Sequence, residues 1–514
     1  MREVVIAYDL GTGGIKSSVV SADGEILCSA FVAYQTYYSA GGWQEQAPEE
    51  WWGALIESTH RLLNKKEVPP ESIRAVAISG HSLGVVPIGR DGTLLRKKTP
   101  IWADMRAADE AEEFFRQVDY QEWYEATGNG FPSACYPLFK IVWYKRHEPE
   151  VYEKIHKVIG TKDYCNFRLT GRLCTDYSYA SGSGAFSLST WQYREDYIKM
   201  AGISPTVFPE IIPSDGIVGE ITREASEAIG LPVGVKVVCG GVDNSCMALG
   251  AKGTAEGRMY TSLGSSAWIA LVSAHPVLDF TYKPYVFAHV IKGMYASATC
   301  IFSAGLSQQW VRNTFCADLV EQEKQGKANA YEVINRLVES SVPGANGILF
   351  NPSMAGGSMM EPTPRMAGAF FGLKLEHTRA DVLRAVQEGI AMNLRIALDV
   401  LCKYRKGTER MLVVGGGAKS PVWMQIFANV YHLPIETTSV NQEAASLGAA
   451  ALALNGIGLW KGYEAIDRIH RLEQTFLPQE EICRIYQLAQ KRFGQLVNCL
   501  LYTSDAADER SSVD

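Results

Sequence analysis

The amino-acid sequence predicts an α/β protein of two domains with a cleft between them, and three observations carry that expectation. At 514 residues the chain exceeds one ordinary domain. Three glycine-rich segments, Asp9 to Gly14, Gly240 to Asn244 and Gly415 to Ser420, each follow a short apolar run. Those runs, Val4–Tyr8, Lys236–Cys239 and Met411–Val414, read as buried strands. A strand–glycine loop–strand pattern near residue 9 also returns near residue 262, although the residues of the two copies barely align.

The elements follow in order. Val4–Asp9 and Ile15–Ser21 are strands around the first glycine loop, and Asp23-Gly24 signals a hairpin before the strand Glu25–Tyr34. Pro48 and the acids after it open a helix to about Leu63 with apolar residues at helical spacing. Ile73–Ser79 is a buried strand, Asp91-Gly92 a turn, and 104–146 is helical with Gly- and Pro-rich loops. Val158–Thr161 is a short strand leading into a helix over Asp163–Leu169. The strand pattern restarts at Pro232–Val238, and Met259–Val272 reads as a second hairpin with Ser262 to Ser266 as its loop. Helices over Arg379–Lys406 and Pro421–Tyr431 bracket the last glycine strand. The halves are expected to be 1–248 and 249–498.

Composition narrows the function classes. A net charge of -7 and the lack of any basic run with interleaved aromatics argue against a nucleic-acid surface. No apolar stretch approaches the roughly 20 residues that span a bilayer, and the N-terminus has no signal-peptide core, so no membrane and a cytoplasmic setting are expected. Eleven cysteines without a Cys-x-x-Cys pair suggest neither zinc nor a disulfide framework. Cys499 to Glu509 reads as the translation of a transposase-type sequencing adapter, so 499–514 is expected to be a non-native tail.

Glycine at a strand end lets backbone N–H groups approach anionic oxygens. In the first segment Gly11, Gly13 and Gly14 supply such groups, Thr12 a hydroxyl, Lys16 a point charge, and Asp9 the single carboxylate that Mg²⁺ takes alongside phosphate oxygens. In the second, glycines place Asp243 at a strand end, where it can act as a general base, cap the segment Asn244–Leu249, or do both. The third suits an adenine or ribose lying on the loop, or simply a tight strand-to-helix connection. Together these parts suit phosphoryl transfer from a nucleotide to a hydroxyl.

Ordered along one chain, the motifs resemble the FGGY carbohydrate kinases of the actin/hexokinase/heat-shock ATPase superfamily, with xylulokinases as the most similar branch. The resemblance runs from about residue 3 to 498. It is carried by Asp9 to Gly13, Trp43 to Gln46 with Trp51 and Trp52, Trp102, Asp104 and Arg106, Lys162 to Tyr164, and Asp176 with Ala180 to Gly182. It continues through Gly240 to Asn244, Ser262 to Ser266, Phe370 to Gly372, and Gly415 to Ser420 with Trp423. It implies two duplicated ribonuclease-H-like domains that close over ATP and sugar, excluding water. Asp9 then works with Mg²⁺ and phosphates, and Asp243 is the base on the sugar's terminal hydroxyl. Gly11 to Gly13 and Ser262, Gly264 and Ser265 form two phosphate loops, and Gly416, Gly417 and Ser420 hold adenosine. His81, Ser82, Trp102, Asp104 and Asn244 fall in the sugar-facing region, although Asp104 also reads as a surface acid starting a helix and Trp43 as core filling.

The implied activity is transfer of the ATP γ-phosphoryl group to a ketopentose, D-xylulose to D-xylulose 5-phosphate. Alternatives are another ketose, ribulose or a sugar alcohol as acceptor, or a non-kinase actin-like ATPase. Implied partners are sugar, ATP and Mg²⁺, with a homodimer as the assembly to consider. The chain departs from the branch at two places. Gly80-His81-Ser82-Leu83-Gly84 stands where Gly-Gln-Met-His-Gly is usual, so Ser82-Leu83 replaces a Met-His pair that contacts the sugar. Gly356 to Glu361 stands where a Gly-Glu-Arg element is usual.

Overall fold

The computed structural model describes residues 2–358, 361, 365–404 and 409–511, except for the side chains at 404 and from 498 onward. Met359 and Met360 of the second departure, and the packing of the 499–514 tail, thus lie outside the described residues. The chain forms two compact units. One is Met1–Glu256, Val272–Ser297 and Glu443–His470; the other is Gly257–Leu271, Ala298–Gln442 and Arg471–Asp514. The expected second half therefore gives up segments to the first unit, because 249–256, 272–297 and 443–470 pack with it.

In the first unit the sheet order is Ile217–Glu220, Lys236–Val242, Ile73–Gly80, Val4–Gly11, Gly14–Ser21, Ile26–Ala33. The last three strands pair antiparallel, Ile73–Gly80 joins Val4–Gly11 in parallel, Lys236–Val242 joins Ile73–Gly80 in parallel, and Ile217–Glu220 closes the edge antiparallel. Successive strand side chains take opposite faces. Val4, Ile6 and Tyr8 accordingly pack with Trp51, Trp52 and Leu55 of helix Pro48–Asn64, whose first turn carries a proline and two acids suited to a helix start. Val5, Ala7, Ala75 and Ala77 pack instead with helix Ala444–Gly456. Small residues on both sides of that contact let the helix lie close to the sheet. Burial of a side chain such as Leu55 contributes about 1.5–3 kcal/mol.

The second unit repeats the pairing pattern. Met259–Leu263 pairs antiparallel with Ala267–Ser273 and parallel with Met411–Val414; Ile435–Thr438 follows in parallel and Leu472–Phe476 antiparallel. Five strands thus share their succession of pairings with the first unit, as expected of duplicated ribonuclease-H-like domains. The hairpin turn is shorter than expected: Ser262 lies inside the strand, and only 264–266 connect the two strands. Helix Pro421–Tyr431 begins at its proline, with Ser420 accepting the Trp423 N–H as cap. Among the described residues no helix is long and apolar enough to cross a membrane, and no disulfide forms.

Candidate active site

Strand register gathers the chemistry-bearing residues of the first unit at one end of its sheet. Asp9 is paired with Ser79 and Ser79 with Gly241; one step on, Leu10, Gly80 and Val242 align. The next residues, Gly11, His81 and Asp243, leave the carboxyl ends of adjacent parallel strands together. Open α/β sheets bind their ligands at such ends. The alignment depends on a register shift between Val238 and Gly241. Gly240 there has φ +74°, and a Cβ on it would stand 1.9 Å from the Ile78 carbonyl oxygen.

Asp243 is the first residue of helix Asp243–Gly250, with Val242 as the cap, so its own expected capping role is displaced by one position. Its Oδ1 accepts from the Asn244 N–H at 2.8 Å and from Asn244 Nδ2 at 3.1 Å. The Tyr285 hydroxyl reaches Asn244 Oδ1 at 3.4 Å. Burial pushes the Asp243 carboxyl up to about 7, with repulsion from Asp9 adding to it and the Asn244 bonds opposing it. A carboxyl poised there exchanges protons near neutrality, as a general base must.

Asp9 is half-buried at the end of Val4–Gly11, and Ser79 Oγ donates to its Oδ1 at 3.0 Å. Burial raises its pKa, against the Ser79 bond and the Lys16 charge. The Gly11 carbonyl accepts from the Tyr34 hydroxyl. The Thr12 carbonyl accepts from Gln46 Nε2 at 2.7 Å and its hydroxyl oxygen from Trp102 Nε1 at 3.0 Å. Nothing lies within 4 Å of a Cβ built on Gly13, so that side of the loop is open. Lys16 pairs with Glu443 at 2.8 Å, which ties its ammonium group to a carboxylate of this unit.

Gln46 is the residue that sequence reasoning missed. With its Nε2 donating to Thr12, its Oε1 accepts from Trp51 Nε1 at 2.9 Å and from His81 Nε2 at 3.2 Å. His81 therefore carries its proton on Nε2. Its Nδ1 is buried without a hydrogen-bond partner, and burial pushes the ring down to about 3, so it is neutral. Gln46 thus joins the first glycine loop to the row that carries Asp243. Its place in the Trp43 to Gln46 segment gave the signal but not the role.

Asp104, expected in the sugar-facing region, is placed differently. The Asp104 side chain is fully buried and accepts from the Arg106 N–H at 3.1 Å, Arg106 Nε at 2.8 Å, Arg106 Nη2 at 2.8 Å and the Gln44 N–H at 2.7 Å. Arg106 also pairs with Glu45 at 2.9 Å and lies 4.0 Å over the Trp43 ring, which meets Trp143 edge-on. Asp104 is accordingly neither a surface acid nor an open acceptor, and the partly buried Trp43 packs against the core. Ser82 and Leu83 are buried. Leu83 has φ +59°, and its carbonyl accepts from the buried Lys140 Nζ at 3.2 Å.

Within the second unit a cavity of about 650 Å³ is lined by Gly264 and Ser265 of the hairpin turn and by Gly416, Gly417 and Ser420 of the last glycine segment. That volume suits a small-molecule ligand. The Gly264 and Ser265 carbonyls accept the amides of Gly305 and of Ala304 and Leu306, fixing the turn against helix Gly305–Phe315. Ser262 does not line the cavity. A Cβ on Gly417 would stand 2.4 Å from Leu263 Cδ2, so glycine allows that segment to lie on the hairpin strand. Ser420 Oγ donates to Asn335 Oδ1 at 2.9 Å. Gln308 and Gln387, also in the lining, are buried with Oε1 atoms that have no partner. Such orphaned acceptors fit a ligand that brings N–H or O–H groups.

The chain is similar to known carbohydrate kinases. The N-terminal domain of the FGGY family of carbohydrate kinases matches residues 4–250, and its C-terminal domain matches 259–456. The xylulose kinase of Staphylococcus epidermidis is 29% identical over 488 residues, 95% of each chain. The gluconokinase of Bacillus licheniformis is 27% identical over 514 residues, 99% of each. The crystal structure of xylulose kinase from Rhodospirillum rubrum superposes with TM-score 0.87 at 27% identity, covering 98% of this chain and 99% of that one. The chain belongs to the FGGY family of carbohydrate kinases.

Proposed function

We propose that the protein transfers the γ-phosphoryl group of ATP to a terminal hydroxyl of a ketopentose, with D-xylulose the leading acceptor. One observation carries this reading: Asp243 leaves its strand two steps beyond the row of Asp9, with a carboxyl that titrates near 7. Asp243 would accept the proton of the attacking hydroxyl, and Asn244 would hold the carboxylate in its rotamer. Gly11, Thr12 and Gly13 would offer N–H and hydroxyl groups to phosphate oxygens. Asp9 would hold Mg²⁺, which when bound neutralises charge on the phosphates. The fit is favourable. Asp9 stands at the strand end with Ser79 donating to one of its oxygens, and a single carboxylate leaves room for phosphate ligands. Gly416, Gly417 and Ser420, with the unpartnered amide oxygens of Gln308 and Gln387, would receive adenosine.

A sugar acid is the second reading. It is favoured by the similarity to a gluconokinase along the full chain and by Ser82-Leu83 in place of the Met-His pair. A coupled ADP-release assay over pentuloses, hexuloses, polyols and gluconate tests both. D-xylulose giving the highest kcat/KM supports the first reading, and gluconate the second. Turnover indifferent to every acceptor, with polymerisation, would mean a non-kinase ATPase.

A further inference from the structure

Behind Asp243 lies a buried charge cluster that the proposed chemistry leaves unused. Lys162 Nζ stands 2.5 Å from Asp163 Oδ1 and 3.0 Å from Asp176 Oδ1, and none of the three side chains is more than 1% exposed. Stability alone is a weak account of such a cluster, because well-packed apolar residues of similar volume often serve as well. The cluster is also directional. Asp176 Oδ2 accepts from the Ser178 N–H at 2.9 Å, from Ser178 Oγ at 2.5 Å and from Ser214 Oγ at 2.8 Å. With its proton committed to Asp176, Ser178 Oγ accepts from the Val242 N–H at 2.9 Å.

Val242 immediately precedes the base and caps its helix without any side-chain capping bond. The irregular pairing between Val238 and Gly241 interrupts the strand ladder just before it. A Cβ on Gly241 would lie 3.1 Å from Ser178 Oγ, so the hydroxyl is pressed against the turn that presents Asp243. Ser178 and Val242 are both fully buried, and water cannot readily take the place of the bond.

We propose that Ser178 is a positioning residue for Asp243. Lys162 orients Asp176, Asp176 orients the Ser178 hydroxyl, and that hydroxyl fixes the Val242 N–H and the first helical turn. The inference rests on Asp243 being the base of the kinase reading. It is tested by comparing Ser178→Ala with Ser214→Ala, since each removes one hydroxyl bond to Asp176 but only the first touches Val242. Ser178→Ala is expected to lower sugar-dependent kcat about tenfold or more, with KM for ATP within about twofold. It should also speed hydrogen exchange at the Val242 amide about tenfold, one bond's worth of protection. Ser214→Ala should change neither. Unchanged Val242 exchange in Ser178→Ala, or equal loss of kcat in both variants, overturns the proposal. The exchange measurement needs no acceptor, so an unmodified protein without sugar-stimulated turnover would sink the kinase reading while Ser178 is still decided.

Discussion

A Cβ built on Gly448 would stand 1.9 Å from the carbonyl oxygen of Cys246. Gly250 meets helix Ala444–Gly456 in the same way, its Cβ position lying 1.8 Å from the Ala444 carbonyl oxygen. Helix Asp243–Gly250 therefore lies directly on Ala444–Gly456, backbone against backbone. Gly448→Ala must push that helix away, because neither contact atom is a flexible side-chain end. The expected cost is about 1–3 kcal/mol, exceeding the roughly 1 kcal/mol that alanine gains over glycine in a helix. Gly494→Ala, with nothing within 4 Å of its Cβ in helix Glu480–Ser511, should instead be neutral or stabilising. Urea unfolding of both variants checks the contrast. Stability of Gly448→Ala equal to the parent would refute the close packing.

The proposed base gives the sharpest kinetic expectation. Asp243→Asn keeps the shape of the side chain and removes the proton acceptor. Sugar-dependent turnover should fall about 10²–10⁴-fold, the range of general-base contributions. Nucleotide affinity, measured by calorimetry, should change little, because the cavity lined by Gly416 and Gln387 is built without Asp243. Turnover within threefold of the parent would remove Asp243 from the reaction.

The same carboxyl sets a pH dependence with opposite signs for activity and stability. Its folded-state pKa is raised from an aspartate's usual 3.8 to about 7, so the folded chain holds this proton more tightly than the unfolded one. Activity that needs the ionised base should rise with pH through about 7. This group's contribution to stability is full below about pH 4 and is lost as pH rises through about 7. Asp243→Asn should therefore gain stability over the parent at pH 8 and lose that advantage at pH 4. Denaturant midpoints of both proteins at the two pH values test the sign, and a parent advantage that grows with pH would contradict it.

Much of this was legible where the signal is local. Pro421 after Ser420 marks a helix start by its own geometry, and the structure begins the helix there. The glycines around Asp9 and Asp243 announce strand ends, and at Gly240 a side chain is excluded because its Cβ would stand 1.9 Å from the Ile78 carbonyl oxygen. What stayed hidden depends on contacts between distant segments. The return of 443–470 to the first unit rests on alanines and glycines meeting alanines, a pattern with no periodicity of its own. Gln46 reads as an ordinary polar strand residue until Thr12, Trp51 and His81 converge on its amide. Serines around a glycine suggest a loop at Ser262, but pairing with Trp268 keeps it in the strand.

Gln387 offers a test of whether the second-unit cavity takes nucleotide. Its Oε1 is buried without a partner, and a buried acceptor in that state costs about 1–3 kcal/mol until a ligand satisfies it. Gln387→Leu should leave the melting temperature of the ligand-free protein no lower than the parent's. ATP binding should weaken about tenfold, the value of one well-made hydrogen bond. Unchanged ATP affinity by calorimetry would show that the amide oxygen does not face the nucleotide.

Asp104 separates a binding residue from a structural one. A carboxylate contacting sugar would, once neutralised, raise the acceptor KM and spare the fold. Here the carboxylate is enclosed by Arg106 and the Gln44 amide, and its loss leaves a guanidinium that is fully buried beneath Trp43. Breaking a buried pair by removing one charge costs about 3–5 kcal/mol, and Glu45, 2.9 Å from the same guanidinium, retains part of it. Asp104→Asn should therefore lower the unfolding free energy by about 2–4 kcal/mol on that basis. The acceptor KM, measured well below the melting transition, should stay within about threefold, a shift too small for a lost charged hydrogen bond. A tenfold higher KM with an unchanged melting temperature would return Asp104 to the sugar site. The distinction matters because Trp102, two residues before it, holds Thr12 through its indole N–H, so this short segment anchors the first glycine loop whatever the acceptor proves to be.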